Sequence, residues 1–133
     1  KFKPNYSKYH NVYDFGQIYE RNIKNDLFHI SDIYIQPAWV GLSIVEAMAY
    51  GKPVFTFKRS LDLHQCVEYS YIIDGFNGRI FENIDEFLKE ISELNESMLQ
   101  SLCNNAKKFA LDNLTMENMI KKANLSIERF KST

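Results

Sequence analysis

Residues 37–55, Pro-Ala-Trp-Val-Gly-Leu-Ser-Ile-Val-Glu-Ala-Met-Ala-Tyr-Gly-Lys-Pro-Val-Phe, read as loop, helix, loop and strand. Just before them the apolar run Ile33-Tyr34-Ile35 is stopped by Pro37, the pattern of a short buried strand. Gly51 and Pro53 end the helix and open a second strand, Val54-Phe55-Thr56-Phe57. Strand, short helix, strand is a βαβ unit, so the two strands are expected to lie parallel with a right-handed crossover.

Ile44, Val45, Ala47, Met48 and Ala49 leave that helix almost no polar face, which predicts burial between neighbours. Glu46 sits among them, and a carboxylate in such a place is costly unless something pairs with it. Two explanations compete. Ser43-Ile44-Val45-Glu46 fits S-x-x-E, a capping box in which Glu46 bonds back to the Ser43 amide. Alternatively, Glu46 points into a cleft and binds a ligand hydroxyl. Gly41 and Ser43 stand at the helix start, where free N–H groups and the positive dipole end suit a phosphate.

Working outward toward the N-terminus, Glu20 to His29 carries Ile23, Leu27 and Phe28 at helical spacing and predicts an amphipathic helix. Val12-Tyr13-Asp14-Phe15 ahead of it reads as a short strand ended by Gly16, and residues 1–10 as loop. Toward the C-terminus, residues 58–70 form a polar loop after a parallel strand. Ligands bind outside the carboxyl ends of such strands, so Lys58, Arg59 and His64 are candidates for ligand contact, set against the plainer reading of a solvated loop. Asp74-Gly75 and Asn77-Gly78 are turn dipeptides before a strand at Ile80-Phe81. The rest is helical. Ile84, Phe87, Leu88, Ile91 and Leu94 mark one helix, with Asn83 as its N-cap. Leu99, Leu102, Cys103, Ala106, Phe109 and Ala110 mark a second, and Met119, Ile120, Ala123, Ile127 and Phe130 a third opening at Thr115.

The composition is that of a compact domain: 133 residues, 45% hydrophobic. A net charge of −1 gives no reason to expect nucleic acid as a partner. No apolar run reaches the ~20 residues of a membrane helix. Cys66 and Cys103 have neither metal nor redox spacing and read as reduced thiols in a cytoplasmic setting. The chain starts on Lys1 and in the middle of a pattern, which suggests a piece of a longer protein.

Gly41-Leu-Ser-Ile-Val-Glu-Ala-Met-Ala-Tyr-Gly-Lys-Pro-Val54 resembles the donor-site signature of retaining, metal-independent GT-B glycosyltransferases of the group 1 family. Asp74-Gly75-Phe76-Asn77-Gly78 matches the later part of the family's next block, with Ser70 at the place of its glutamate. The resemblance implies a Rossmann-like parallel sheet flanked by helices, the C-terminal half of the GT-B fold, ending in a helical tail. It implies that Glu46 grips the ribose hydroxyls of a nucleoside-diphosphate sugar and that Gly41, Leu42 and Ser43 approach the diphosphate and sugar. The implied donor is a UDP- or GDP-sugar, used without a metal or other cofactor. A hexosyl unit would pass with retention to a glycan or lipid-linked acceptor held by an N-terminal half outside this chain, in cell-surface polysaccharide assembly. That setting is cytoplasmic, with peripheral contact at the inner membrane face in a full-length protein. Two departures stand out. The family's first acidic residue, eight positions before its glutamate, is Ala38 here, and the basic pair that grips the diphosphate would lie upstream of Lys1. Ala38 also supports an alternative, a degenerate non-catalytic Rossmann-like module used for partner binding.

Overall fold

The computed structural model describes residues 5, 6 and 8–131, with side chains described up to 129. Part of the N-terminal loop reading and the place of Phe130 in the last apolar stripe therefore lie outside the described residues.

Three strands form one parallel sheet in the order β1 (Tyr34–Ile35), β2 (Val54–Phe57), β3 (Gly78–Phe81). Tyr34 aligns with Val54, and Val54 in turn with Gly78, which fixes the register. Between β1 and β2 runs α2 (Ser43–Ala49), so the expected βαβ unit is present. Gly51, at φ +73°, ends α2 as the sequence suggests: its N–H donates to Met48 O at 2.8 Å, and Lys52 N–H to Ala47 O at 2.9 Å. That pair of bonds is a Schellman closure, which needs the left-handed conformation that glycine adopts without a Cβ penalty.

Two apolar clusters hold the sheet. Val40, Ile44, Ala47, Met48 and Val54 pack with Ala106 and Ala110 of α4 (Glu96–Asn113). The small alanines let α4 approach α2 closely, so their burial depends on the absence of larger side chains. Phe55, Phe81 and Leu102 form the second cluster, with Phe57 and with Phe87 of α3 (Ile84–Glu93) against them. Phe81 meets Phe87 edge-on at a centroid distance of 5.3 Å, a favoured aromatic geometry. Helix α4 thus contributes to both clusters, while none of the described side chains of α5 (Met116–Lys131) belongs to either. The architecture is α/β and Rossmann-like, ending in helices.

Several expectations are corrected. Residues 12–15 form no strand: Val12, Tyr13 and Phe15 are exposed. Asp14 accepts the Gly16 N–H at 2.9 Å, and this local turn takes the place of a ladder. The amphipathic helix is α1 (Arg21–Ile30), but Ile23 is turned outward, and Lys24, Leu27 and Phe28 face the domain. The loop expected at 58–70 ends in a 3-10 turn, Val67–Tyr71, which runs one residue past it. Helix α2 is buried along one side only; Ala49 is exposed.

Candidate functional site

Because β1 and β2 are parallel neighbours, the loops that follow them share the carboxyl edge of the sheet. Residues 36–42 follow β1 and residues 58–66 follow β2. Two glutamines knit these loops together. Gln65 Oε1 accepts the Val40 N–H at 2.9 Å, and its amide nitrogen reaches Phe57 O at 3.0 Å, Thr56 Oγ1 at 3.2 Å and Pro37 O at 3.3 Å. Gln36 Nε2 donates to Trp39 O at 2.7 Å, while its Oε1 accepts the Ser43 hydroxyl at 2.8 Å. The two amides satisfy backbone groups that an irregular loop would otherwise leave open, and so fix where α2 begins.

Below this edge a cleft of about 670 Å³ lies between α1, β1 and α2. Leu27, Phe28, Ile33 and Tyr34 give it apolar walls, and Lys24, Ser43 and Glu46 place polar groups in them. Lys24 Nζ, from α1, is 2.7 Å from Glu46 Oε1, and both side chains are roughly two-fifths exposed, at 41% and 38%. Helix α1 is seated on α2 by two further contacts: the Tyr50 hydroxyl bonds Asn25 Oδ1, and the Phe28 and Tyr50 rings stack at 4.8 Å.

The capping-box expectation fails on this geometry. Leu42 is the N-cap of α2, no side chain caps the helix, and Ser43 is already its first residue. The Ser43 hydroxyl is drawn to Gln36 and the Glu46 carboxylate to Lys24. With no side chain on the helix start, the N–H groups of Gly41, Leu42 and Ser43 have no acceptor among the described residues.

The candidate residues fall into two groups. Ser43 and Glu46 line the cleft, and Gly41 and Leu42 form the loop end beside them. Lys58 and His64 belong to the neighbouring loop. Lys58 Nζ pairs with Glu82 Oε1 at 2.5 Å, and this hydrogen bond, with the carboxylate's charge, raises its pKa above the ordinary lysine value. His64 lies against Trp39, and its carbonyl accepts the Trp39 N–H at 2.9 Å. Arg59 braces its own loop, donating to Gln65 O and Cys66 O at 3.2 and 3.3 Å over the Tyr69 ring.

Lys24, Gln36 and Gln65 are site residues that the sequence reading missed. Lys24 left a trace, a cation at i, i+3, i+4 spacing with Leu27 and Phe28 on the inward face of α1. The two glutamines left none: Gln65 bonds residues up to 28 positions away, and Gln36, whose side-chain partners lie within seven positions, belongs to a loop that no periodic pattern marks.

No curated protein matches the chain. The family model described as glycosyl transferases group 1 matches residues 5–111, which include the cleft, both loops, the whole sheet and most of α4. With that match over most of its length, the chain belongs to the group 1 glycosyltransferases.

Proposed function

We propose that this chain is the donor-binding part of a hexosyltransferase, which takes a hexosyl unit from a UDP- or GDP-sugar for a glycan or lipid-linked acceptor in cell-surface polysaccharide assembly. The observation that carries the reading is Glu46, a carboxylate on the wall of a 670 Å³ cleft. A carboxylate accepts both O–H bonds of a vicinal diol, which suits the ribose of a nucleotide. The Lys24 ammonium, 2.7 Å from Glu46 on the cleft wall, supports a diphosphate beside that ribose. The open N–H groups of Gly41, Leu42 and Ser43 support the same end of the donor. In this reading the Lys24–Glu46 pair keeps the free site neutral, and ribose and diphosphate each take over one partner. The acceptor is bound by a part of the enzyme outside this chain, and the full enzyme works in the cytoplasm, at the membrane face where its acceptor resides.

The test is ligand-observed NMR on this chain with UDP, GDP, dTDP and ADP, repeated with Glu46→Gln. One diphosphate is expected to bind, and the substitution to weaken it by about tenfold, the size of one charge-assisted hydrogen bond. Binding of equal strength in both proteins rejects the ribose role. If no nucleotide binds this chain, the panel moves to the full-length protein, and no binding there favours the degenerate partner-binding module, a reading supported by Ala38 and by a Glu46 that Lys24 already satisfies.

A further inference from the structure

Trp39 is the chain's single tryptophan. Its backbone φ is +53°, and among the described residues no other non-glycine residue has a positive φ. An L side chain crowds its own carbonyl in that conformation. The loop imposes it from both sides. The Trp39 N–H is held by His64 O at 2.9 Å, its carbonyl by Gln36 Nε2 at 2.7 Å, and the next N–H, that of Val40, by Gln65 at 2.9 Å. Core packing gains little from this, because the side chain is 65% exposed. What the loop achieves is the presentation of an indole at the carboxyl edge of the sheet. The imidazole of His64 stands behind it, with centroids 5.5 Å apart and planes at 41°. Strain held this firmly around an exposed ring is an observation that points to a ligand.

We propose that Trp39, supported by His64, is a stacking platform for the C–H face of a pyranose ring. The assignment to one end of the donor rests on the reading given under Proposed function. If Gly41 to Ser43 hold the diphosphate, Trp39, two residues before Gly41, lies within about 7 Å of that position and so within reach of the sugar the diphosphate carries. The chemistry fits a sugar. A pyranose carries hydroxyls around its rim and an apolar patch of C–H groups on its face, and an electron-rich indole matches that patch while excluding water. Ala38, next to it, offers no group to grip a hydroxyl, so selection at this place works through the ring face. The ring is either the transferred hexose or the terminal sugar of the acceptor.

A single tryptophan makes emission a local reporter. UDP-glucose, UDP-galactose and GDP-mannose are titrated against UDP, GDP and the methyl glycosides of the same hexoses, following Trp39 fluorescence and, by calorimetry, affinity. A nucleotide-sugar is expected to shift the emission beyond its parent nucleotide. Trp39→Gly is expected to weaken it by about tenfold with the parent nucleotide unchanged, and Trp39→Phe to recover most of the loss. Glycine adopts a positive φ freely, so this variant keeps the loop while removing the ring. A shift confined to nucleotide-sugars assigns the ring to the donor; a shift with methyl glycosides assigns it to the acceptor. If no sugar moves the emission beyond nucleotide alone and Trp39→Gly binds nucleotide-sugars as well as the parent chain, the platform is rejected. Nucleotide binding that is sensitive to Glu46→Gln would survive that result and leave the donor site standing. Without any nucleotide binding to this chain, the platform stands or falls on the methyl glycosides.

Discussion

A Cβ built on Gly78 would sit 2.2 Å from Val54 O and 3.0 Å from Ile72 Cγ2, so the first residue of β3 has no room for any side chain. The obstacle is backbone of the neighbouring strand, which cannot swing aside as a side chain can. Gly78→Ala is therefore expected to separate β2 from β3 and cost more than about 3 kcal/mol, measured as a fall in urea midpoint. Gly75→Ala is milder, since the nearest atom is the end of the Arg79 side chain at 3.7 Å and the penalty is confined to a φ of +73°. Trp39 has the opposite sign. The left-handed conformation costs an L residue about 1–2 kcal/mol, glycine gives back roughly half of that in unfolded-state entropy, and little packing is lost. Trp39→Gly is thus expected to unfold at the same temperature or up to about 5 °C higher by circular dichroism, even as it loses sugar affinity. A lower transition temperature would mean that the indole supports the loop. The two turn dipeptides announced a bend at residues 74–78 in the sequence alone. The close approach at Gly78 was not legible there, because it depends on where β2 comes to rest.

Elements were readable where a local rule decides them. Asn83 was read as a cap from its place before an apolar 3.6-residue pattern, and its Oδ1 does accept the Glu86 N–H at 2.9 Å. Asn95 caps α4 in the same way, accepting the Met98 N–H at 3.0 Å. Asn83→Ala and Asn95→Ala are each expected to cost about 1 kcal/mol, and the double variant the sum, because the caps serve different helices. Ser43 shows where the same rule fails. Its S-x-x-E pattern satisfies the capping rule, yet Gln36 and Lys24 offered better partners from other elements. Tertiary competition of this kind is invisible in a window of four residues. The strand expected at 12–15 failed for a similar reason: β propensity alone does not supply a neighbour to pair with. For the cleft, the sequence located α2, Ser43 and Glu46, but not the cation facing them. The consequence is testable at the α1–α2 contact. A half-exposed ion pair contributes less than about 1 kcal/mol. Glu46→Gln and Lys24→Met should therefore leave the unfolding midpoint nearly unchanged, so a loss of nucleotide binding in either can be read as a loss of contact.

On the scale of the whole molecule, the division of labour among the C-terminal helices carries its own prediction. Helix α4 is shared by the two clusters through Leu102, Ala106 and Ala110. Helix α5 touches α4, and Asn118 fastens its first turn by donating to Asp112 O at 2.8 Å. Beyond that turn its apolar residues Met119, Ile120, Leu125 and Ile127 remain exposed. The family model likewise stops at residue 111, before α5 begins. Folding of the sheet and its flanking helices should then be independent of α5. A chain ended after Thr115 is expected to unfold in a single cooperative transition within about 5 °C of the parent, and to keep whatever nucleotide binding the parent has. Ala106→Leu is the contrasting variant: it drives a larger side chain between α2 and α4, should cost about 1–3 kcal/mol, and should shift the cleft through α2. If the shortened chain instead loses its cooperative transition while Ala106→Leu is tolerated, the stabilising centre lies at the C-terminal helix pair. Since α2 carries Ser43 and Glu46, the packing of α4 against it, and not the presence of α5, should set the geometry of the site.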